Sequence, residues 1–165
     1  LEILLPLNKI SAVLNNFFFF FNTSIMKTKV EVDLVKNEIE NSKSRALQGA
    51  SDWLINSDLK YDFKFNEDMK NTISLVYSVS GERIYAVGTA GIDHIYEKPF
   101  HKLDFVWSSK FSKNIEVKFA VDNILNPSFK RVLGSESTQN ITESDLTIRE
   151  YKRGTGFSLG VNYTF

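Results

Sequence analysis

The chain has 165 residues, a length for one domain, and 20 basic residues against 20 acidic ones, so its formal net charge is zero. That balance offers no basic surface for nucleic acid. The absence of cysteine excludes disulfides, thiolate metal sites and a cysteine nucleophile.

Leu1–Leu7 is apolar and broken by Pro6, and reads as the tail of one element entering a turn. A strand is expected from Ile10 to about Asn22. Phe17–Phe21 erases its alternation, which leaves two readings: a strand buried on both sides, or an aromatic girdle with some Phe facing inward. Lys27–Arg45 is a charged stretch, read as a solvated face: a short strand extension and then a long loop reaching Gly49.

The cleanest alternation runs from about Ala50 to Phe65. Trp53, Ile55, Leu59, Tyr61, Phe63 and Phe65 are apolar at odd positions; Asp58, Lys60, Asp62 and Lys64 are polar at even ones. A period of two puts the sets on opposite faces of a strand. Asn66–Asp68 is a tight turn into a strand over Met69–Ser80. Gly81–Pro99 is a loop in which Ile84–Val87 has strand character. Strands follow at His101–Lys110 and Ile115–Asp122, joined by a tight turn at Ser112–Asn114. Asn126–Arg153 is a long loop, and Thr155–Phe165 is the sixth strand, with Phe157, Leu159, Val161, Tyr163 and Phe165 on one face.

The expected fold is all-β: an antiparallel up-and-down meander of about six strands in which sequence neighbours pair. Phe63, Leu75, Phe105, Val117 and Leu159 belong on one face, and Asp62, Ser74, Asp104, Lys118 and Ser158 on the other. Short turns at Asn66–Asp68 and Ser112–Asn114 alternate with long loops at Lys27–Gly49, Gly81–Pro99 and Asn126–Arg153. Transmembrane barrels have this asymmetry, with short periplasmic turns and longer outer loops. A lipocalin-like barrel or a β-sandwich also alternates, and stays open as a small-ligand-binding alternative. No apolar run reaches the roughly 18 residues of a membrane-spanning helix. No secretory leader opens the chain, and Leu1 stands first, so the chain is expected to be a fragment whose export signal lies upstream.

Chemistry-bearing residues are sparse. His94 and His101, with Asp93 and Glu97, fit no zinc spacing and read as loop polarity. Asp52, Asp58 and Asp62 fall at one parity but are balanced by Lys60 and Lys64, as on the wall of a wet lumen. Gly88–Gly91 lacks the strand–helix context of a phosphate loop. No catalytic, cofactor-binding or metal-binding residue is assigned, and the substrate-binding residues stay unknown; the expectation is a protein that is not an enzyme. Trp53, Tyr61, Tyr77, Trp107 and Tyr163 fit interfacial girdles, with buried rings and wet polar tips.

Several stretches, in order along the chain, resemble the C-terminal barrel region of TonB-dependent outer-membrane receptors of Bacteroidetes-like bacteria. These are Arg45–Ser51 followed by Asn56; Tyr77 with Gly81, Arg83 and Ile84, then Val87-Gly88; Leu103-Asp104-Phe105; Asp122–Asn126; Tyr151–Gly154; and Phe157–Gly160 with Tyr163 and Phe165. Ser78 stands where that family usually has Asn, and the Phe17–Phe21 run departs from its mixed strand. The resemblance spans residues 1–165 and implies the last part of a barrel whose plug domain and earlier strands lie elsewhere. It implies a transporter in the cell outer membrane that takes up an iron chelate, vitamin or glycan with energy from the TonB complex. The implied partners are outer-membrane lipid, the TonB complex through the absent N-terminal regions, and the barrel-assembly machinery through the strand ending at Phe165. A passive porin is the other membrane reading.

Overall fold

In a computed structural model of the chain, residues 1–33, 43–66, 69–111, 114–134 and 146–165 are described. They form thirteen strands: β1 (Glu2–Pro6), β2 (Phe17–Ile25), β3 (Val30–Glu31), β4 (Ser44–Arg45), β5 (Trp53–Asn66), β6 (Met69–Ser80), β7 (Arg83–Ala86), β8 (Ile95–Glu97), β9 (Lys102–Phe111), β10 (Ile115–Asp122), β11 (Ser128–Leu133), β12 (Thr147–Lys152) and β13 (Gly156–Tyr163). The largest sheet has seven strands in the order β1-β2-β5-β6-β9-β10-β13, all antiparallel. The expected strands pair as sequence neighbours, and β1 adds a seventh at one edge.

The strand expected from Ile10 starts later than the sequence reading has it. After a 3-10 turn at Leu7–Lys9, the residues expected to open that strand at Ile10 instead form a 3-10 turn at Ala12–Leu14, and β2 starts only at Phe17. Proline has no N–H for the ladder, and β1 ends at Pro6. The Ser11 hydroxyl then accepts from the Val13 N–H at 3.4 Å, fixing a turn where a strand was expected.

Register settles the faces. Leu5, Phe19, Leu59, Leu75, Phe105, Val121 and Phe157 lie in one cross-strand row, one residue from each strand. The next row holds Phe17, Tyr61, Ile73, Trp107, Phe119 and Leu159. Phe63, Leu75, Phe105, Val117 and Leu159 therefore share a face, and Asp62, Ser74, Asp104, Lys118 and Ser158 share the other, as the alternation predicts. The phenylalanine run also divides. Phe17, Phe19 and Phe21 stand opposite Tyr61, Leu59 and Ser57 on the apolar face, while Phe18 and Phe20 stand opposite Lys60 and Asp58 on the polar one. Lys60 places its ammonium 5.5 Å from the Phe18 ring.

Nothing among the described residues covers the apolar face. Leu59 and Leu75, on interior strands, are 37% and 40% exposed. A sandwich would bury both against a second sheet. The sheet also stays open, with β1 and β13 as its edges.

Connections are short at one end of the sheet and long at the other. Residues 67–68 and 112–114 join β5 to β6 and β9 to β10; residues 26–52, 81–101 and 123–155 make the other joins. The turn tips at 67–68 and 112–113, and Asn37 and Ser137 in the long loops, lie outside the described residues. At the short-turn end, Thr164 donates its N–H to the Asn114 carbonyl at 2.9 Å, and the Asn114 amide donates to the Thr164 carbonyl at 2.6 Å.

The stretches expected to be loops carry structure of their own. Gly81–Pro99 holds the hairpin β7–β8, and Asn126–Arg153 holds the hairpin β11–β12. The two pair through β8 and β11 into a four-stranded sheet of order β7-β8-β11-β12. That order repeats β6-β9-β10-β13, so each strand of the small sheet prolongs one of the large sheet. The most buried hydrophobic side chains, Val79, Ile84, Phe129 and Val132, lie in the small sheet or at its joint with β6.

Candidate ligand site at the joint of the two sheets

The joint is laced by polar groups with no repeat of their own. Gln48 donates its amide to the Tyr85 carbonyl at 2.8 Å, Gly49 its N–H to the Ile84 carbonyl at 2.9 Å, and Ser51 its hydroxyl to the Gly81 carbonyl at 2.8 Å. Gly81 lies beneath Trp53: a Cβ there would come within 2.6 Å of the indole nitrogen. Asn123, buried and at φ 59°, takes the Asp104 carboxylate on its N–H at 2.8 Å and donates its amide to the Gly154 carbonyl at 2.7 Å. Asn126 accepts from the Gly154 N–H at 3.1 Å. Asn tolerates a left-handed backbone better than most residues, because its short polar side chain can bond locally.

In the small sheet, register aligns Arg83, Glu97, Arg131 and Arg149 in one cross-strand row. Glu97 is 5% exposed. Arg83 donates Nε and Nη2 to its Oε1, the Nε bond at 3.0 Å, and Arg131 donates Nε and Nη2 to its Oε2, both at 3.2 Å. A carboxylate gripped by two forks satisfies the requirement that a buried charge be paired and hydrogen-bonded. The Arg131 guanidinium lies 3.4 Å from the Tyr85 ring centroid and 5.2 Å from that of Phe129. Arg153 sits 5.3 Å from Phe129 and 5.8 Å from Phe100.

Arg83, Glu97, Phe129, Arg131 and Arg153 line a cavity of about 850 Å³, to which the polar face of the large sheet contributes Asn56, Ser78 and Lys102. That volume lies within the range of ligand pockets, roughly 300 to 1,000 Å³. Lys98 pairs with Glu82 at 2.8 Å, and Lys102 with Asp104 at 2.6 Å. Burial, with Glu82 and Asp93 nearby, holds the Tyr96 phenol above its ordinary value.

The residues weighed for a metal do not come together. His94 accepts the Gly88 N–H at Nδ1, 2.8 Å away; His101 meets the Tyr77 hydroxyl at 2.6 Å; and Glu97 is consumed by its two arginines. A Cβ on Gly88 would fall 2.1 Å from the Ile92 carbonyl oxygen, so this glycine serves a tight backbone crossing. Among the described residues no cluster of His, Asp or Glu is placed to hold a metal ion. Asp58 and Asp62 share the polar face with Lys60 between them, roughly 13 Å apart along the strand, too far to work as a pair. Lys60 pairs with Asp62 at 3.0 Å, and Thr72 donates to Asp62 at 2.7 Å. Asp52 lies before β5, and its carbonyl accepts the Met26 N–H at 2.9 Å.

Of the aromatic residues expected at strand ends, Trp53 opens β5 and Tyr163 closes β13, while Tyr61 and Trp107 share an interior row. Trp107 donates its indole N–H to Asn71 at 3.1 Å, and Asn71 stands opposite Phe63 in the last apolar row before the short turns. Arg131, Phe129 and Phe100 carried no sequence signal: they sit in a stretch without clean alternation, and only register brings them to Glu97.

No known family model, curated protein or solved structure matches this chain.

Proposed function

We propose that this chain forms part of the wall and outer loops of an outer-membrane β-barrel receptor of the TonB-dependent kind, a transporter and not an enzyme. The observation that carries the reading is the uncovered apolar face of the seven-stranded sheet. Its apolar rows run from Trp53 to Phe63, ten residue steps or roughly 33 Å along the strand. At the usual barrel tilt of about 40° that span stands close to the 25 Å apolar band of a barrel wall. Lipid covers such a face, and backbone groups at the two edges find partners when further strands close the barrel. The polar face then lines the lumen, the long connections point outward, and the short turns lie on the periplasmic side. The substrate is a large scarce solute, an iron chelate, vitamin or glycan, moved with energy from the inner membrane.

Single cysteines test the orientation, because the sequence has none of its own. Ile92, at the long-connection end, and Asn66, at the short-turn end, are both exposed. On intact cells producing the full-length protein, a membrane-impermeant maleimide labels Ile92→Cys and spares Asn66→Cys until the outer membrane is opened. The reverse pattern, or a freely soluble protein, defeats the reading and restores the soluble ligand-binding alternative.

A further inference from the structure

We infer that the cavity between the two sheets is a binding site for a ligand carrying an oxyanion — a carboxylate, phosphate or sulfate. Three guanidiniums, Arg83, Arg131 and Arg153, border it against one carboxylate, Glu97. Glu97 spends both oxygens on Arg83 and Arg131, and uses only Nε and Nη2 of each. Arg153 has no carboxylate partner among the described residues; its contacts are the rings of Phe100 and Phe129. The lysines do not share this surplus, because Lys98 and Lys102 face Glu82 and Asp104.

The rings determine what the surplus charge can do. A guanidinium stacked on an aromatic face has its plane fixed and keeps its N–H donors at the edge, where they meet a planar oxyanion two at a time. Arg131 and Arg153 lie 5.2 and 5.3 Å from the same Phe129 ring centroid, and both border the cavity. Glu97 fixes Arg131 in place and also removes one unit of charge, so the site discriminates by geometry as well as by net charge.

The inference deepens the receptor reading by naming the chemistry its substrate carries at this point, and depends on that reading only for the side from which ligand arrives. Calorimetric titration of the full-length protein in detergent micelles tests it with citrate, inorganic phosphate and inorganic sulfate, with glucose as the neutral probe. At least one oxyanion binds saturably where glucose does not, and the tightest of the three identifies the group. Arg153→Gln weakens that binding about tenfold or more, the loss of a charge-assisted bond. Phe100→Leu, which keeps the charge and removes a stacking surface, weakens it severalfold. Equal binding by glucose and the oxyanions, or unchanged oxyanion binding in Arg153→Gln of unaltered melting temperature, overturns the inference and leaves Arg153 as packing over Phe129. Because the titration needs no membrane orientation, failure here leaves the maleimide result standing, and failure there leaves this one.

Discussion

The two sheets solve the burial problem in opposite ways. The seven-stranded sheet alternates cleanly yet leaves Leu59 and Leu75 more than a third exposed, whereas the four-stranded sheet, built from irregular sequence, buries Ile84 and Val132 to 3% exposure and Glu97 to 5%. One sheet leaves its apolar face uncovered among the described residues. The other is completed by its own ion pairs, stacked rings and backbone joints. Clean amphipathic pattern therefore does not mark where a chain keeps its core; here the core lies where the pattern is poorest.

The largest expected effect is in the small sheet. Glu97→Ala leaves two guanidiniums without their carboxylate, one of them, on Arg131, mostly buried. Breaking such a pair costs about 3 to 5 kcal/mol, with the lower end expected because Arg83 is partly exposed. Hydrogen exchange reads the outcome: amides of β7, β8 and β11 lose protection while those of β5 and β6 keep theirs. Equal loss in both sheets would mean that they melt as one unit and would erase the contrast.

The next effect belongs to the large sheet. Leu75→Arg puts a charge in the middle of the apolar face and destabilises the protein by about 2 to 4 kcal/mol in a bilayer. Ser74→Arg, one residue away on the polar face, changes stability little. Urea unfolding in lipid vesicles separates the two, and equal costs would show that the face does not meet lipid.

The smallest effect lies at the joint. Asn123→Ala removes the amide bonded to the Gly154 carbonyl and places alanine at φ 59°, for a loss of about 1 to 3 kcal/mol. Both sheets then lose stability slightly and together, measured as a common downward shift of their unfolding midpoints. A loss confined to one sheet would show that Asn123 belongs to that sheet alone.

Much of the large sheet was legible because its information is local. The alternation of Trp53–Phe65 names both faces of β5 without reference to any other strand. Loop lengths likewise show which connections share an end. The polar residues at the joint have physical tasks there: Gln48, Gly49 and Ser51 bond to β7 or its approach, and Asn123 and Asn126 clasp Gly154.

Pairing decided the rest. Five consecutive phenylalanines carry no period, and only opposition to Ser57–Tyr61 sends Phe17, Phe19 and Phe21 to one face and Phe18 and Phe20 to the other. Arg83 and Glu97 meet within the β7–β8 hairpin, and Arg131 joins them only when a hairpin from a separate connection pairs with it through β8 and β11. Side-chain periodicity is a property of one strand, whereas register is a relation between strands. The sequence by itself determined the amphipathic sheet and its two unequal ends; the tertiary structure alone decided the second sheet, its charged row and the cavity beneath it.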